Sequence, residues 1–261
     1  MKGNSNILET ENLEIHFGGL YALKNINIGI SANETLGLIG PNGSGKTTLF
    51  NVITGVYKPT GGNFYFMGES LVGREPYEIA IRGISRTYQS SRLCLELSVF
   101  DNILIGMYHK RITGYFSALF NRKRMISEVN EFKETAVNLL SVFNPELIKN
   151  LFDPVAELPH IDRRRVEICR AMAGEPKLIL LDEPSAGMNP DETAQLMDDI
   201  KKVRSTMKDV SIIIIEHDMD VISTVSERVI ALNFGMEIAR GTYQEVSDHP
   251  LVKEAYFGKR D

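Results

Sequence analysis

The chain has 261 residues, 43% of them apolar, which is enough for one large domain or two small ones around a buried core. With 29 Lys+Arg against 34 Asp+Glu the net charge is −5, so the basic excess that holds a nucleic-acid binder to phosphates is missing, and nucleic acid is not an expected partner. Two cysteines, Cys94 and Cys169, lie far apart among residues that read as internal; they exclude a disulfide framework or a cysteine-rich zinc site and suit a reducing compartment such as the cytosol.

Residues 1–11 carry Glu9 and Glu11 and no apolar stretch, so no signal peptide is expected. The longest apolar runs, such as Leu178 to Leu181 and Ile212 to Ile215, fall far short of the ~20 residues a membrane span needs, so any membrane role must come through a partner. Thr35-Leu36-Gly37-Leu38-Ile39 has strand composition; a glycine-rich turn follows, then Leu49, Val52, Ile53 and Val56 at helical spacing. Pro59-Thr60-Gly61-Gly62 turns into an aromatic strand, Asn63 to Met67, closed by Gly68, which predicts an antiparallel hairpin. From Leu97 to about Leu158 the pattern is helical, with Val129, Phe132, Ala136, Leu139, Leu140 and Phe143 on one face.

Lys177 to Leu181 is a short apolar run ending in Asp182-Glu183. Asn189-Pro190-Asp191-Glu192 then opens a helix with a cap residue, an N1 proline and early acids, striped by Leu196, Ile200, Val203 and Met207. Ser211 to Ile215 is a second apolar run, ending in Glu216-His217. Strand–helix–strand thus recurs, predicting a mostly parallel α/β sheet with crossover helices.

Gly40-Pro41-Asn42-Gly43-Ser44-Gly45-Lys46-Thr47 fits the phosphate-loop pattern G-x-x-x-x-G-K-[ST] between a strand and a helix. The glycines let backbone N–H groups turn inward on a polyphosphate, Lys46 can neutralise its terminal phosphates, Thr47 can ligate Mg²⁺, and the following helix offers its positive end. Asp182, at the carboxyl end of an apolar strand, stands where a second carboxylate would hold Mg²⁺, and Glu183 beside it could deprotonate an attacking water. Spacing alone assigns nothing to Gln89 or His217.

Together these residues resemble the ATP-binding subunits of ABC transporters nearly end to end. Phe17 stands at the place of the adenine-stacking aromatic, Gly40 to Thr48 is the Walker A loop, Arg86-Thr87-Tyr88-Gln89 the glutamine loop, Leu178 to Glu183 the Walker B strand, Ser185-Ala186-Gly187-Met188-Asn189 the D-loop, and His217 the switch histidine. The resemblance implies a P-loop NTPase core, RecA-like, with an antiparallel β subdomain and an inserted helical subdomain. It places the core at about 1–89 and 165–261, including a C-terminal extension, and the helical subdomain at about 90–164. It further implies ATP and Mg²⁺ as ligands. Phe17 then stacks the base, Gln89 senses Mg²⁺ and the transporter interface, Glu183 is the catalytic base and His217 contacts the γ-phosphate. The implied setting is the cytoplasmic face of a membrane, bound to integral permease subunits.

Within the family, the long insertion with Gly114-Tyr115-Phe116 through Arg124, and the tail from Gly241-Thr242-Tyr243 through Pro250 to Glu254-Ala255-Tyr256-Phe257-Gly258, are similar to the branched-chain amino-acid uptake group. Subunits serving urea or lipopolysaccharide export share much of this pattern. A non-transport ABC clamp and a small-molecule phosphotransferase are the rivals from other classes. No Asn-Lys-x-Asp motif supports a GTPase.

One segment departs from the family. Where the signature Leu-Ser-Gly-Gly-Gln would stand, the chain has Leu158-Pro159-His160-Ile161-Asp162. Pro159 has neither a side-chain donor nor an N–H, and Ile161 carries a branched Cβ where glycine would approach a phosphate. A helix starting at about Asp162 with Arg163, Arg164 and Arg165 in its first turns could attract a γ-phosphate or simply present a solvated basic face. The loss favours a heterodimer with a second, different ATP-binding subunit and one weakened hydrolytic site.

Overall fold

The computed structural model describes residues 6–110, 122–207 and 209–258. They form two compact units, one within 6–86, 177–184, 207 and 209–258, the other within 87–110, 122–176 and 185–206.

The first unit holds two sheets. One is antiparallel: β1 (Asn6–Phe17) pairs with β2 (Leu20–Ile26), β3 (Gly29–Ser31) and β5 (Gly61–Phe66), and β5 with β6 (Glu69–Ser70). The β5–β6 pair is the hairpin expected after Pro59. The other sheet runs β11-β10-β4-β9-β8-β7, built from β4 (Thr35–Ile39), β7 (Ile84–Arg86), β8 (Leu178–Asp182), β9 (Ser211–Ile215), β10 (Arg228–Asn233) and β11 (Met236–Gly241). All its pairings are parallel except β10–β11. Every residue of β4, β8 and β9 is buried. That is why these strands read as unbroken apolar runs rather than alternating ones: a parallel strand covered on both faces has no polar side.

Register sets up the functional edge. In the parallel ladders Ile215 lies opposite both Leu38 of β4 and Asp182 of β8. With neighbouring strands ~4.8 Å apart, the residues just beyond these pairs, Gly40, Glu183 and His217, emerge together at the carboxyl edge of the sheet. Helix α1 (Lys46–Ile53) follows the loop after β4 and buries Leu49, Phe50, Val52 and Ile53 in a core shared with β1, β5, β8 and β10. Val56 lies beyond the helix end and is exposed. The unit also contains α2 (Pro76–Ile81), α7 (Met219–Val225), α8 (Tyr243–Asp248) and α9 (Pro250–Phe257).

The second unit is helical: α3 (Val99–Gly106), α4 (Arg122–Phe143), α5 (His160–Ala173) and α6 (Pro190–Thr206). The predicted boundary near 164 falls inside α5. A helix is one hydrogen-bonded rod, and α5 packs on α3 and α4, so it stays whole in this unit. Helix α6 joins it because the stripe of Leu196, Ile200 and Val203 is buried where α6 packs on α4 and α5. The predicted cap of α6 is present as a reciprocal pair: the Glu192 N–H donates to Asn189 Oδ1 (3.0 Å) and the Asn189 N–H to Glu192 Oε2 (3.1 Å).

Three expectations change. Val129 is exposed on α4, while the rest of the predicted face is buried. Cys94 is exposed and only Cys169 is buried; in the loop before α3 it is the backbone of Cys94 that is held, by Asn102 at 2.8 and 3.0 Å. Helix α5 starts at His160, with Pro159 as N-cap, two residues earlier than read. Gly114 to Phe116 lie outside the described residues. Among those described, no helix is long and apolar enough to cross a membrane.

Candidate functional site

The loop from Gly40 to Gly45 is shaped by close backbone approach. Gly40 has φ 147, and a Cβ there would stand 2.2 Å from the Leu232 carbonyl oxygen. Gly45 has φ 107, and its Cβ would meet the Ala22 carbonyl at 2.7 Å. Only glycine fits either position. The Ser44 carbonyl accepts the Gly235 N–H at 3.0 Å, tying the loop to the β10–β11 turn. Pro41 is half-buried and Asn42 and Gly43 are exposed, whereas Ser44, Gly45 and Lys46 are buried; Thr47 is exposed and Thr48 half-buried on the first turn of α1.

The Lys46 ammonium donates to the Gly40 carbonyl (2.7 Å) and the Pro41 carbonyl (3.1 Å), holding its charge inside the curve of the loop. Burial pushes its pKa down, and the carboxylates of Glu183 and Asp182 act the other way. Those carboxylates stand at the end of β8. Arg86, on the neighbouring β7, donates to Asp182 Oδ2 at 2.7 Å, with both side chains almost fully buried. Its other nitrogen donates to Asn51 Oδ1 of α1 at 2.6 Å, and its guanidinium lies over the Phe50 ring. Burial raises the Asp182 pKa despite Arg86, which lowers it.

Glu183 adopts φ 48, a left-handed conformation that costs a residue with a side chain about 1–3 kcal/mol. Its N–H is held by the Ile215 carbonyl at 3.0 Å. The turn carries its carboxylate to His217, whose Nε2–H donates to Glu183 Oε1 at 2.7 Å. A carboxylate and a histidine from adjacent strands are thereby joined at the edge where the phosphate loop begins.

A divalent cation fits this donor set. Asp182 Oδ1 and the Ser44 hydroxyl are buried without a hydrogen-bond partner, oxygen atoms of the kind a hard cation and its water shell satisfy.

Phe17, at the end of β1, is about half exposed, and its ring meets Tyr57 edge-on at 5.4 Å. Gln89 belongs to the helical unit, where it is exposed and its carbonyl accepts from Arg164 at 3.1 Å. The sequence reading gave no role to Arg86, Asn51 or Tyr57. Arg86 could have been suspected from its place at the end of a strand; its pairing with β8 depends on sheet order.

The start of α5 is organised differently from what the arginines suggested. Arg163 donates to the carbonyls of Leu158 (2.9 Å) and Ala156. Arg164 is buried, donating to the Tyr88 carbonyl (2.9 Å) and to Glu167 (2.8 Å). Arg165 is buried between Asp162 and Asp199, each at 2.8 Å. These residues therefore form neither a solvated basic face nor an open anion site: Arg164 and Arg165 are paired with carboxylates, and Arg163 is turned onto the backbone carbonyls before the helix. Ile161 is buried as well.

Comparison with known proteins extends over nearly the whole chain. The ABC transporter family model matches residues 23–186, and a model described as branched-chain amino acid ATP-binding cassette transporter matches 237–261. The high-affinity branched-chain amino acid transport ATP-binding protein LivG of Escherichia coli K12 is 37% identical over 253 residues, covering 97% of this chain and 98% of that protein. BraF of Pseudomonas aeruginosa, described in the same words, is 36% identical over the same length and shares. A crystal structure of an ATP-binding cassette of an ABC transporter in its ADP conformation superposes with TM-score 0.82 at 31% identity, covering 98% of this chain and 100% of that one.

Proposed function

The chain belongs to the ABC transporter ATP-binding family, an ATPase that binds ATP, and from that premise we propose that it powers a membrane importer of branched-chain amino acids. The observation that carries the chemistry is the Glu183–His217 contact of 2.7 Å at the strand edge shared with the phosphate loop. The LivG and BraF relatives, with the match of the C-terminal segment, support the substrate class.

In this reading Phe17 stacks on the adenine, and the N–H groups of the Gly40–Thr48 loop with the Lys46 ammonium hold the phosphates. Thr47 and Asp182 would hold Mg²⁺, which would supply charge neutralisation on the phosphate oxygens, and the family resemblance gives Gln89 the part of sensing it. Arg86 fixes the rotamer of Asp182. Glu183 takes the proton of the attacking water, and the His217 contact orients that carboxylate and reaches towards the γ-phosphate. Gln89 relays nucleotide state to integral permease subunits, on which the chain sits at the cytoplasmic face of the membrane. Its working partner is a second, different ATP-binding subunit: Pro159 and Ile161 leave the segment that would complete a neighbour's site without its hydroxyl and its glycine.

The test is reconstitution with the permease subunits, the partner ATPase and a substrate-binding protein in proteoliposomes. Uptake of leucine, isoleucine or valine that needs ATP and disappears with Glu183→Gln is the expected result. ATP-driven uptake of a different solute, or ATP turnover indifferent to the permease, would overturn it.

A further inference from the structure

Parallel pairing of β4 runs to Ile39 on the β10 side and to Leu38 on the β9 side. Gly40, the first residue of the phosphate loop, therefore lies just beyond both ladders, where a strand's next N–H has no partner in the sheet. In this chain that N–H donates to the phenolic oxygen of Tyr256, 2.8 Å away and 216 positions along the sequence. The carbonyl of the same residue accepts from the Lys46 ammonium at 2.7 Å. Gly40 is thus gripped on its amide by the C-terminal helix and on its carbonyl by the phosphate-binding lysine. It is also confined against the Leu232 carbonyl, so its peptide has little room to find another arrangement.

The tail is built to deliver that hydroxyl. Thr242 and Glu245 form a capping box that starts α8, Val246 is buried beneath it, and Pro250 at the first position starts α9. Helices α8 and α9 both pack on β11. Val252 of α9 is 2% exposed, and Tyr256, four residues on, shares its face, so burying Val252 aims Tyr256 inward while Leu251 and Phe257 stay exposed. Burial pushes the Tyr256 pKa up, which keeps the phenol neutral and suited to accept a neutral amide.

We propose that Tyr256 is a positioning residue for nucleotide binding, through whose hydroxyl the C-terminal helix holds the first peptide of the phosphate loop, and with it Lys46, in the geometry that receives a polyphosphate. The proposal rests on the reading of Gly40 to Thr48 as the ATP loop and adds to it a role for the segment after β11.

The experiment measures Mg-ATP and Mg-ADP binding to the full chain, with amide hydrogen exchange at Gly40 and thermal melting of the same samples. It compares wild type with Tyr256→Phe, which deletes only the hydroxyl, and Leu251→Ala, which trims an exposed side chain of the same helix. Tyr256→Phe is expected to raise the nucleotide Kd about threefold to tenfold, the range one neutral hydrogen bond carries, and to speed exchange at Gly40. Leu251→Ala is expected to leave Kd and Gly40 exchange at wild-type values, with at most a small change in melting temperature. Unchanged Kd in Tyr256→Phe overturns the proposal, and so does equal weakening by both variants, which would assign the effect to tail packing. A wild-type chain that binds no nucleotide would overturn the loop reading itself, a result separable from the other two.

Discussion

The phosphate loop and the start of α5 both place cationic side chains at the head of a helix, yet they treat their polar groups in opposite ways. Around the loop, polar atoms are buried and left over: the Ser44 hydroxyl and Asp182 Oδ1 have no hydrogen-bond partner, and Glu183 sits in a strained left-handed turn. At α5 the three arginines are matched by backbone carbonyls and by Glu167, Asp162 and Asp199. Buried polar groups without partners cost about 1–3 kcal/mol each, so a fold keeps them where a ligand completes them. Matched ion pairs instead set how helices pack. Charge at a helix start therefore does not by itself identify a phosphate site.

The sharpest way to probe that difference is to remove one group from each region and ask whether chemistry or stability fails. Glu183→Gln keeps the side chain's shape and removes its basicity. We expect ATP turnover to fall about 10²–10⁴-fold while nucleotide affinity stays near wild type. Single-turnover kinetics alongside equilibrium binding would check it, and normal turnover would remove Glu183 as the base. Arg165→Ala should do the reverse. Leaving Asp162 and the buried Asp199 without their shared cation should cost about 3–5 kcal/mol of stability, seen as a lowered denaturation midpoint. In the fraction that remains folded, nucleotide affinity should be unaltered. A large loss of affinity with intact stability would mean that Arg165 serves a phosphate after all.

Lys46→Ala strikes the loop itself. Removing a preorganised cation from a buried phosphate site is expected to cost about 10²–10³-fold in turnover and to weaken binding as well. Its effect on stability should be small or favourable, since Lys46 is a buried ammonium whose pKa is already lowered by desolvation.

Most of the candidate site's edge was legible in the sequence because it is local. The loop and the Asp182-Glu183 pair each follow an apolar run at once, and a parallel sheet brings such strand ends together whatever the strand order; His217, which spacing left unassigned, came in only through the family resemblance. The strands, the hairpin and the α6 cap were readable for the same reason. What escaped is non-local. The Arg86–Asp182 pair needs β7 beside β8, and the Tyr256–Gly40 bond spans most of the chain. The limits of the helical unit escaped too, because the stripe on α6 shows that it packs but not on what. The arginines of α5 were misread although Glu167 and Asp162 stand at the i,i+3 spacing of helix neighbours; what the sequence does not show is Asp199, on another helix.

The smallest expected effect bears most directly on the partner question, and burial decides how it must be measured. Restoring both signature features, Pro159→Ser with Ile161→Gly, removes a buried side chain from the first turn of α5, at a cost of about 2–5 kcal/mol. Pro159→Ser alone avoids that loss: the residue is the N-cap, with no side-chain cap at present, and a serine hydroxyl there should add about 1 kcal/mol of stability. If this segment completes a neighbour's ATP site, the same hydroxyl also restores one phosphate donor. Turnover of the isolated chain should then rise about tenfold to a hundredfold, as one hydrogen bond to a charged group would give. Melting and turnover together separate the two effects, because a cap alone moves the first and leaves the second. A wild-type chain that by itself hydrolyses ATP as fast as Pro159→Ser and the double variant would show that Pro159 and Ile161 weaken nothing, and the need for a different partner subunit would fall with them.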